Sequence, residues 1–308
     1  MPEYMGYRVH ERAGDDRRKV LLAIAMGVAA VFGYGASALL TKVGVASADG
    51  ITVGMLRSLI ALPVALALIV LHRLPLPWRG QRKWLLLTSG LCGLVAFPVL
   101  FSWGLEFTTA GHAASASVCG AVMAGVIMAV VERRWPPLLW WGGIAIGVSG
   151  ALLLIWEAIG LGIEGVSWQG DALVFSGMFV GVFAYIASGR LTREVGPLAV
   201  TMWSIVVASA VLAPALALHS STAALAAITP ASWGGIVGLA WGVTIGVYVL
   251  WNRALADGGI ARIGALQLLQ PVFGVLLAVA LLDEPLTPLL VAATLIAILG
   301  VALVQRAR

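Results

Sequence analysis

Long apolar runs, separated by short stretches of charged residues, glycine or proline, extend through the whole chain. A helix that crosses a membrane needs about 20 apolar residues, and runs of this length recur here with few charges inside them. The pattern predicts an all-α integral membrane protein with ten transmembrane helices. The predicted spans are residues 20–45, 51–71, 84–103, 109–131, 138–156, 171–189, 198–218, 233–251, 261–282 and 288–304.

The composition argues against a soluble domain of any size. Hydrophobic residues make up 61% and charged residues 11% of the chain, whereas soluble domains contain about 25% charged residues. Ten spans use most of the 308 residues, so a separate catalytic or nucleic-acid-binding domain is excluded by length. The two cysteines lie in apolar runs without metal-ligand spacing, and neither a metal nor another cofactor is predicted.

The distribution of charge between successive loops predicts the orientation in the membrane. Basic loops stay on the cytoplasmic side, and a cytoplasmic N-terminus places the basic residues there and only acidic ones outside. Both termini are therefore predicted to be cytoplasmic in a cell (inner) membrane, and the net charge of +5 implies no nucleic-acid partner. The predicted cytoplasmic residues are Arg8, Arg12, Arg17, Arg18, Lys19, Arg73, Arg79, Arg82, Lys83, Arg133, Arg134, Arg190, Arg193, Arg253, Arg262, Arg306 and Arg308, and the outer ones are Asp49, Glu106, Glu157, Glu164, Asp171, Asp283 and Glu284.

The two halves of the chain contain similar segments. Residues 32–42 match residues 183–193 at their Phe, Tyr, Ala, Ser, Leu and Thr positions. Since five is an odd number, two successive five-helix repeats are inverted relative to each other, and inverted repeats place a substrate site near the midplane between the halves. The predicted organisation is a cytoplasmic segment 1–19, a first repeat 20–157, an outer linker 158–169, a second repeat 170–304 and a cytoplasmic tail 305–308.

Several motifs accompany the repeat. The first half contains Arg57, the segment 104–114 that begins Gly-Leu-Glu-Phe, and Glu-Arg at 132–133, and the second half contains Gln-Pro-Val-Phe at 270–273 and Asp-Glu-Pro-Leu-Thr at 283–287. In these motifs the chain resembles the EamA family of the drug/metabolite transporter superfamily, over nearly its whole length. Within the family it is most similar to the YddG-type amino-acid exporters. The resemblance implies a ten-helix metabolite transporter.

The first half departs from the family pattern at one place. Cys119 and Gly120 stand where the second half has Pro271. A proline inside a helix removes a hydrogen bond and kinks it. We therefore expect a kink in the ninth span and a weaker one in the fourth.

Polar and aromatic residues at helical spacing indicate which helix faces turn away from lipid. In the eighth span Trp241, Thr244 and Tyr248 recur on one face, followed by Trp251. Two glutamines in the ninth span need hydrogen-bonding partners, which a hydrated cavity would supply. The predicted substrate-binding residues are Tyr34, Ser37, Phe97, Phe101, His112, Ser115, Tyr185, Trp241, Tyr248, Trp251, Gln267 and Gln270.

Some candidates have an equally good structural interpretation. Ser37 and Ser188 could equally form hydrogen bonds within the helix bundle, which average about 0.6 kcal/mol. For His112, near the outer end of the fourth span, a helix cap or structural hydrogen bond is favoured over a proton relay.

Lys42 and Arg57 are basic residues inside predicted spans. A charge at that depth is costly unless it is paired or hydrated, so a gating or structural role is predicted for each. Asp49 or Glu106 is the expected partner. Both basic residues lie toward the outer side, where long side chains can extend to water, and for Arg57 a salt bridge is favoured.

The absence of certain residue types narrows the substrate. No Asp or Glu lies in the middle of a predicted span, which disfavours a proton-coupled exporter of cationic drugs. Two peripheral cations are too few for phosphorylated sugars. The predicted function is export of small neutral or zwitterionic metabolites, amino acids and among them aromatic ones, by alternating access as facilitated diffusion.

Other classes of function stay open at this point. A passive channel, or an exporter of another metabolite or a drug, is the main alternative. An intramembrane enzyme ranks lower, because Ser115 with His112 is the sole conceivable pair of nucleophile and base. No enzyme activity is therefore predicted.

Two stripes of small residues permit close helix packing. They are Gly143 with Gly147 in the fifth span and Ala293 with Ala297 in the tenth. Such stripes either join the two halves or form a homodimer through helices 5 and 10, and the sequence leaves both open.

Overall fold

The chain is helical throughout the part that the structure describes. The computed structural model describes residues 3–132, 137–160, 165–258, 263 and 265–306, and no strand occurs in them. Counting each continuous run once, these residues form eleven helices, of which Thr222–Ala226 is a short one between α7 and α8. The others are α1 (Glu3–Val45), α2 (Gly50–His72), α3 (Gln81–Gly104), α4 (Ala110–Glu132), α5 (Leu138–Gly160), α6 (Trp168–Val195), α7 (Pro197–His219), α8 (230–258), α9 (Gln270–Leu282) and α10 (Pro288–Arg306).

The helices have the length and composition of membrane spans. Within the described residues six helices are long and apolar enough to cross a membrane, and three shorter ones are also apolar: Leu138–Gly150, Gln270–Leu282 and Pro288–Gly300. A chain of this kind is a multi-pass integral membrane protein, as predicted. The six are Lys19–Val45, Gly50–His72, Gln81–Gly104, Trp168–Val195, Pro197–His219 and Pro230–Trp251.

Three helices depart from regular α geometry. A π-helical segment, Leu91–Ala96, interrupts α3, and a longer one, Gly238–Val247, interrupts α8. A 3₁₀ segment, Ala265–Leu269, precedes α9. Pro271 lies in the first turn of α9, where its missing N–H needs no partner, so the predicted kink is replaced by a helix start.

The connections α1–α2, α3–α4, α7–α8 and α9–α10 and residues 165–167 before α6 meet at one end of the bundle, which we call the polar end. Contacts between these connections are short. Ser47 Oγ lies 3.1 Å from Thr229 Oγ1, and the Gly50 N–H donates to Glu106. His219 Nε2 lies 3.0 Å from Asp49 Oδ1, which also caps α2 by accepting from the Thr52 N–H.

The other end of the bundle carries the basic connections. Arg82, at the start of α3, donates from its Nε to Oε2 of Glu194, at the end of α6, at 2.6 Å. The described basic loop residues thus lie at this end, together with the acidic residues Glu194 and Asp257 that pair with Arg82 and Arg253. Arg133, Arg134, Glu164, Arg262 and Arg308 lie outside the described residues.

Small residues bring the helices close together. A Cβ atom on Gly300 of α10 would lie 2.4 Å from the Gly147 backbone nitrogen of α5. Ala293 and Ala297 are also buried against α5. The two predicted stripes therefore pack on each other within one chain and join the two halves, while a homodimer stays a prediction.

Candidate functional site

A cavity of about 170 Å³ lies where α1, α2 and α3 meet α6, α7 and α8. It is slightly larger than an engineered cavity of about 150 Å³ that holds benzene, so it can take a solute of that size or the end of a larger one. Eight of its fourteen described lining residues carry a hydroxyl group, three of them tyrosines, while most of the exposed lining surface is apolar. The lining residues are Tyr34, Arg57, Ser89, Gly93, Leu94, Ala184, Tyr185, Ser188, Val200, Thr201, Ser204, Val243, Thr244 and Tyr248.

Three of the predicted tyrosines come together in this cavity. Tyr34 of α1 and Tyr185 of α6 occupy matching positions of the repeat, and Tyr248 comes from α8. The Tyr34 ring also packs edge-on against Trp251, with 6.2 Å between ring centroids. Tyr185 is 66% exposed, so it stands at the mouth of the cavity. The tyrosines give the cavity aromatic walls with polar tips.

Arg57 lies in the same cavity, about two turns from the start of α2. Its side chain is buried, and its Nε donates to Thr244 Oγ1 at 3.0 Å. Neither Asp49 nor Glu106 pairs with it, because those carboxylates are used by His219 and Gly50 at the polar end. Among the described residues no salt bridge to Arg57 occurs, and its buried side chain does not extend to the surface.

The π-helical segments of α3 and α8 both border the cavity. Gly93 and Leu94 belong to the segment in α3, and Val243 and Thr244 to the one in α8. π-Helical turns are rare and often occur at functional sites. Here they lie in two helices that correspond under the predicted repeat, and both contribute residues to the cavity wall.

The sequence analysis missed the serine and threonine residues of α3 and α7. Ser89 accepts a hydrogen bond from Ser204 at 2.9 Å, and Thr201 lies one helical turn before Ser204. Thr201 Oγ1 donates to the Pro197 carbonyl at 3.0 Å. The i, i+3 spacing of hydroxyl residues near the start of α7 was the available signal.

The predicted stripe on the eighth span is divided by the π-helical segment. Thr244 and Tyr248 line the cavity, but Trp241 is 51% exposed and donates its Nε1–H to the Ile60 carbonyl at 3.0 Å. Trp251 is buried in a cluster with α1 residues. The i→i+5 turn changes the number of residues per turn, so positions spaced for an α-helix no longer share one face.

Other predicted substrate-binding residues lie outside the cavity lining. Phe97 and Phe101 form a ring pair, 5.5 Å between centroids, in the hydrophobic core between α3 and α6. Ser37 accepts a hydrogen bond from Thr41 at its backbone carbonyl. Gln267 lies in the 3₁₀ segment and Gln270 at the start of α9. Their contact with substrate stays a prediction.

His112 lies between two buried carboxylates at the polar end. Its Nδ1 is 3.2 Å from Asp171 Oδ2 and its Nε2 is 3.5 Å from Glu157 Oε2. Thr108 donates to Asp171 at 2.6 Å and Thr287 donates to Glu157. This cluster, which we call the histidine–carboxylate cluster, joins α4 and α5 to α6 and to the start of α10, outside the cavity.

The helix ends around this cluster are satisfied by charged side chains. Glu284 accepts from the Ala110 and Gly111 N–H groups at 2.7 and 2.8 Å, which places a negative charge at the positive end of α4. Lys42 Nζ donates to the Leu105 and Thr108 carbonyls, both at 2.7 Å. Lys42 thus binds backbone carbonyls rather than the predicted carboxylates.

Ser115 does not form the nucleophile–base pair that an enzyme would need. Its hydroxyl lies 2.7 Å from Thr294 Oγ1 of α10, while both ring nitrogens of His112 face carboxylates. Among the described residues no group of His, Cys, Asp and Glu side chains has the arrangement of a metal site.

Comparison with solved structures gives the same fold. A crystal structure of a protein without a functional name superimposes with a TM-score of 0.63. The match covers 92% of this chain and 96% of that one, and the two sequences are 18% identical. At that identity the likeness establishes the fold alone.

Sequence comparison identifies relatives among bacterial transporters. The chain is 30% identical over 284 residues to the uncharacterized transporter YdeK of Bacillus subtilis (strain 168), covering 86% of this chain and 91% of that protein. It is 22% identical over 213 residues to the uncharacterized transporter YyaM of the same organism, covering 69% and 70%. The model of the EamA-like transporter family matches residues 21–156 and 168–306. On both grounds the chain belongs to the EamA-like transporter family.

Proposed function

We propose that this protein exports small neutral or zwitterionic metabolites, amino acids including aromatic ones, across the cell (inner) membrane by alternating access. The observation that carries the proposal is the cavity between α1–α3 and α6–α8, with tyrosines at matching positions of the two halves. No ion gradient is required, so the transport is facilitated diffusion.

The proposed architecture is ten spans arranged as two inverted repeats of five. Two stretches of similar length match one family model, and the segments around Tyr34 and Tyr185 correspond. The corresponding helices α3 and α8 both contain π-helical segments beside the cavity. Two halves of this kind can rock about a site near the midplane.

Contacts between the halves suggest which end is closed. At the polar end, His112 with Asp171, Thr287 with Glu157 and the α4 N-terminus with Glu284 all join the first half to the second. The cavity instead reaches Thr201, one turn into α7 at the basic end. With the basic end cytoplasmic, this conformation exposes the site to the cytoplasm, and the opposite state requires the polar-end contacts to separate.

Counterflow in liposomes tests the transport proposal. Purified protein is reconstituted with an unlabelled solute inside, and uptake of trace labelled solute is measured over a panel of amino acids and other small metabolites. Alternating access predicts saturable uptake that the internal solute accelerates. Flux that never saturates and shows no counterflow would identify a passive channel, and absence of flux for every amino acid would remove the amino-acid version.

Accessibility of single cysteines tests the orientation. A cysteine introduced at the exposed Arg82 position is expected to react with a membrane-impermeant reagent only from the cytoplasmic side, and one at the half-exposed His219 position only from outside. The reverse labelling pattern would invert the proposed topology.

A further inference from the structure

The cavity contains a cation without an anionic partner. Arg57 is 8% exposed, and its Nη1 nitrogen forms no hydrogen bond. Within the described part of the chain no carboxylate forms an ion pair with it, since its side-chain hydrogen bond goes to the Thr244 hydroxyl. A buried charge is retained at such a cost only when something compensates it.

The rest of the cavity wall does not supply the missing anion. Among the described residues that line it, Arg57 is the one that carries a charge at neutral pH, and the polar remainder consists of Ser, Thr and Tyr hydroxyls. The buried carboxylates of Asp171 and Glu157 are occupied at the polar end by Thr108, Thr287 and His112. The described residues of the protein therefore supply no counter-charge to Arg57.

The guanidinium is nevertheless held in place. Thr244 accepts its Nε–H from the π-helical segment of α8, which fixes one edge and leaves Nη1 as an unused donor. A planar guanidinium with free donors matches the two oxygens of a carboxylate, and such charged hydrogen bonds are short and strong. A single cation is balanced by one negative charge, whereas a phosphate dianion would leave one charge unbalanced.

We propose that Arg57 binds the carboxylate group of the transported solute, which is a small organic carboxylate. The carboxylate occupies the Nη1 side of the guanidinium, and the remainder of the solute lies among Tyr34, Tyr185 and Tyr248. The described lining residues have hydroxyls but no acidic group to match an ammonium group, so the carboxylate is the determinant of recognition. This inference rests on the proposed function and names the substrate class of the same cavity.

Four related phenyl compounds separate the possibilities: phenylpropionate, its carboxamide, phenylalanine and phenethylamine, the amine that lacks the carboxyl group. Binding to the purified full-length protein is measured by calorimetry, and the same compounds are tested as competitors in counterflow. The acid and the amino acid are expected to bind at least about tenfold more tightly than the carboxamide and the amine, since a hydrogen bond to a charged group contributes about 1.5–3 kcal/mol. The affinity of phenylalanine relative to phenylpropionate shows whether the site only tolerates the ammonium group.

Variants of Arg57 connect this selectivity to the residue. In Arg57→Gln the acid-to-carboxamide affinity ratio is expected to fall to about one, and Arg57→Lys should retain part of it because the charge remains. Arg82→Gln removes a surface cation paired with Glu194 and should keep the wild-type ratio. The ratio is measured within each preparation, so it does not depend on the yield of folded variant.

Specific results would overturn the assignment. Equal binding of acid and carboxamide by the wild type, or an unchanged ratio in Arg57→Gln, would show that Arg57 does not bind the carboxylate. If neutral solutes then show saturable counterflow, the transporter proposal stands and only the substrate class is wrong. Selective carboxylate binding without any flux would instead preserve the Arg57 site and contradict the transport function.

Discussion

The central cavity and the polar end both bury charge inside a membrane protein, and they do so in opposite ways. At the polar end the buried charged groups lie close to groups of the protein itself: His112 lies 3.2 and 3.5 Å from two carboxylates, Lys42 binds two carbonyls, and Glu284 caps α4. Glu157 Oε2 forms no hydrogen bond, but His112 lies beside it. In the cavity the charge of Arg57 has one hydroxyl contact and a free Nη1.

Whether a buried charged group has a partner within the protein distinguishes a structural role from a functional one better than its burial does. Isolated polar groups at membrane depth suggest function, yet the histidine–carboxylate cluster is as deeply buried as Arg57 and is accounted for by contacts between helices. Loss of a group from a paired cluster should therefore reduce stability. Loss of the unpaired cation should instead reduce binding.

The largest expected effect is on stability at the polar end. His112→Leu leaves the buried carboxylates of Asp171 and Glu157 without their common partner, and breaking such a buried pair costs about 3–5 kcal/mol. The measurement is the free energy of unfolding in detergent, or the shift of the thermal midpoint. His219→Leu is the matched control, because its contact with Asp49 is partly exposed and contributes at most about 1 kcal/mol. Equal losses in the two variants would contradict the comparison.

The converse is expected for Arg57. Arg57→Gln removes an unpaired buried charge, so the free energy of unfolding should stay the same or increase, while affinity for carboxylate solutes falls at least about tenfold. Thermal midpoint and binding constant are measured on one preparation. A loss of stability as large as that of His112→Leu would assign Arg57 to the structural class.

Two glycines of α3 give a smaller test of the same comparison. A Cβ on Gly93 would lie 2.8 Å from Ala184 Cβ in the cavity, whereas one on Gly104 would lie 2.7 Å from the Gly170 carbonyl oxygen at the polar end. Gly93→Ala should weaken binding of the larger solutes by about tenfold, and Gly104→Ala should lower the thermal midpoint.

Gly189→Ala serves as the control for both glycine variants, because a Cβ there meets no atom within 4 Å. It should change neither the thermal midpoint nor solute affinity. If Gly93→Ala lowers stability without altering size selectivity, the π-helical segment of α3 serves packing rather than binding.

The smallest effect concerns pH at the exposed part of the polar end. Partial burial raises the pKa of Asp49, but hydrogen bonds from Thr52 and His219 outweigh it and hold the pKa below the ordinary value of 3.8. A depressed folded-state pKa gives stability that is present above the unfolded-state pKa and is lost as pH falls through the folded-state pKa.

Asp49→Asn keeps an oxygen that can cap α2 and removes the charge. Its thermal midpoint should lie slightly below that of the wild type at pH 5, and the difference should vanish as the pH falls below 3.8. A difference that grows on acidification would reverse the sign and contradict the assignment. The difference should also shrink at high salt.

Two of the family motifs that the sequence displays, the segments 104–114 and 283–287, lie at the polar end. In the segment 104–114, Leu105 and Thr108 supply the carbonyls for Lys42, and Ala110 and Gly111 supply N–H groups to Glu284. Thr287 caps α10 and donates to Glu157. These two segments therefore have structural roles outside the cavity, whereas Arg57, which belongs to the same set of motifs, lines the cavity.

Much of the helical pattern could be predicted because its causes are local. Predicted spans 51–71 and 198–218 correspond to Gly50–His72 and Pro197–His219, since apolar length and backbone hydrogen bonding define a membrane helix. The helix α1 begins at Glu3, well before the predicted span 20–45. Polar residues can continue a helix outside the membrane, so apolar length predicts the span and not the start of the helix. The 3₁₀ start of α9 was not predicted, since the periodicity of an apolar run does not distinguish it.

The candidate site was predictable in part for the same reason. Tyr34 and Tyr185 followed from the repeat, and both line the cavity. Trp241 was selected on α-helical spacing and lies elsewhere, because the π-helical segment shifts the register. Ser89 and Ser204 were missed because their significance depends on two helices meeting.

The sequence by itself determined the helical membrane class, the separation of acidic and basic connections and the family, since these follow from hydropathy, loop charge and local motifs. Only the tertiary structure decided which buried charges are paired. Lys42 and Arg57 are similar in sequence context, yet Lys42 binds carbonyls in the connection that follows α3, and Arg57 faces a cavity. The physical reason is that a side chain's partner is set by helix packing between distant segments, which apolar periodicity does not encode.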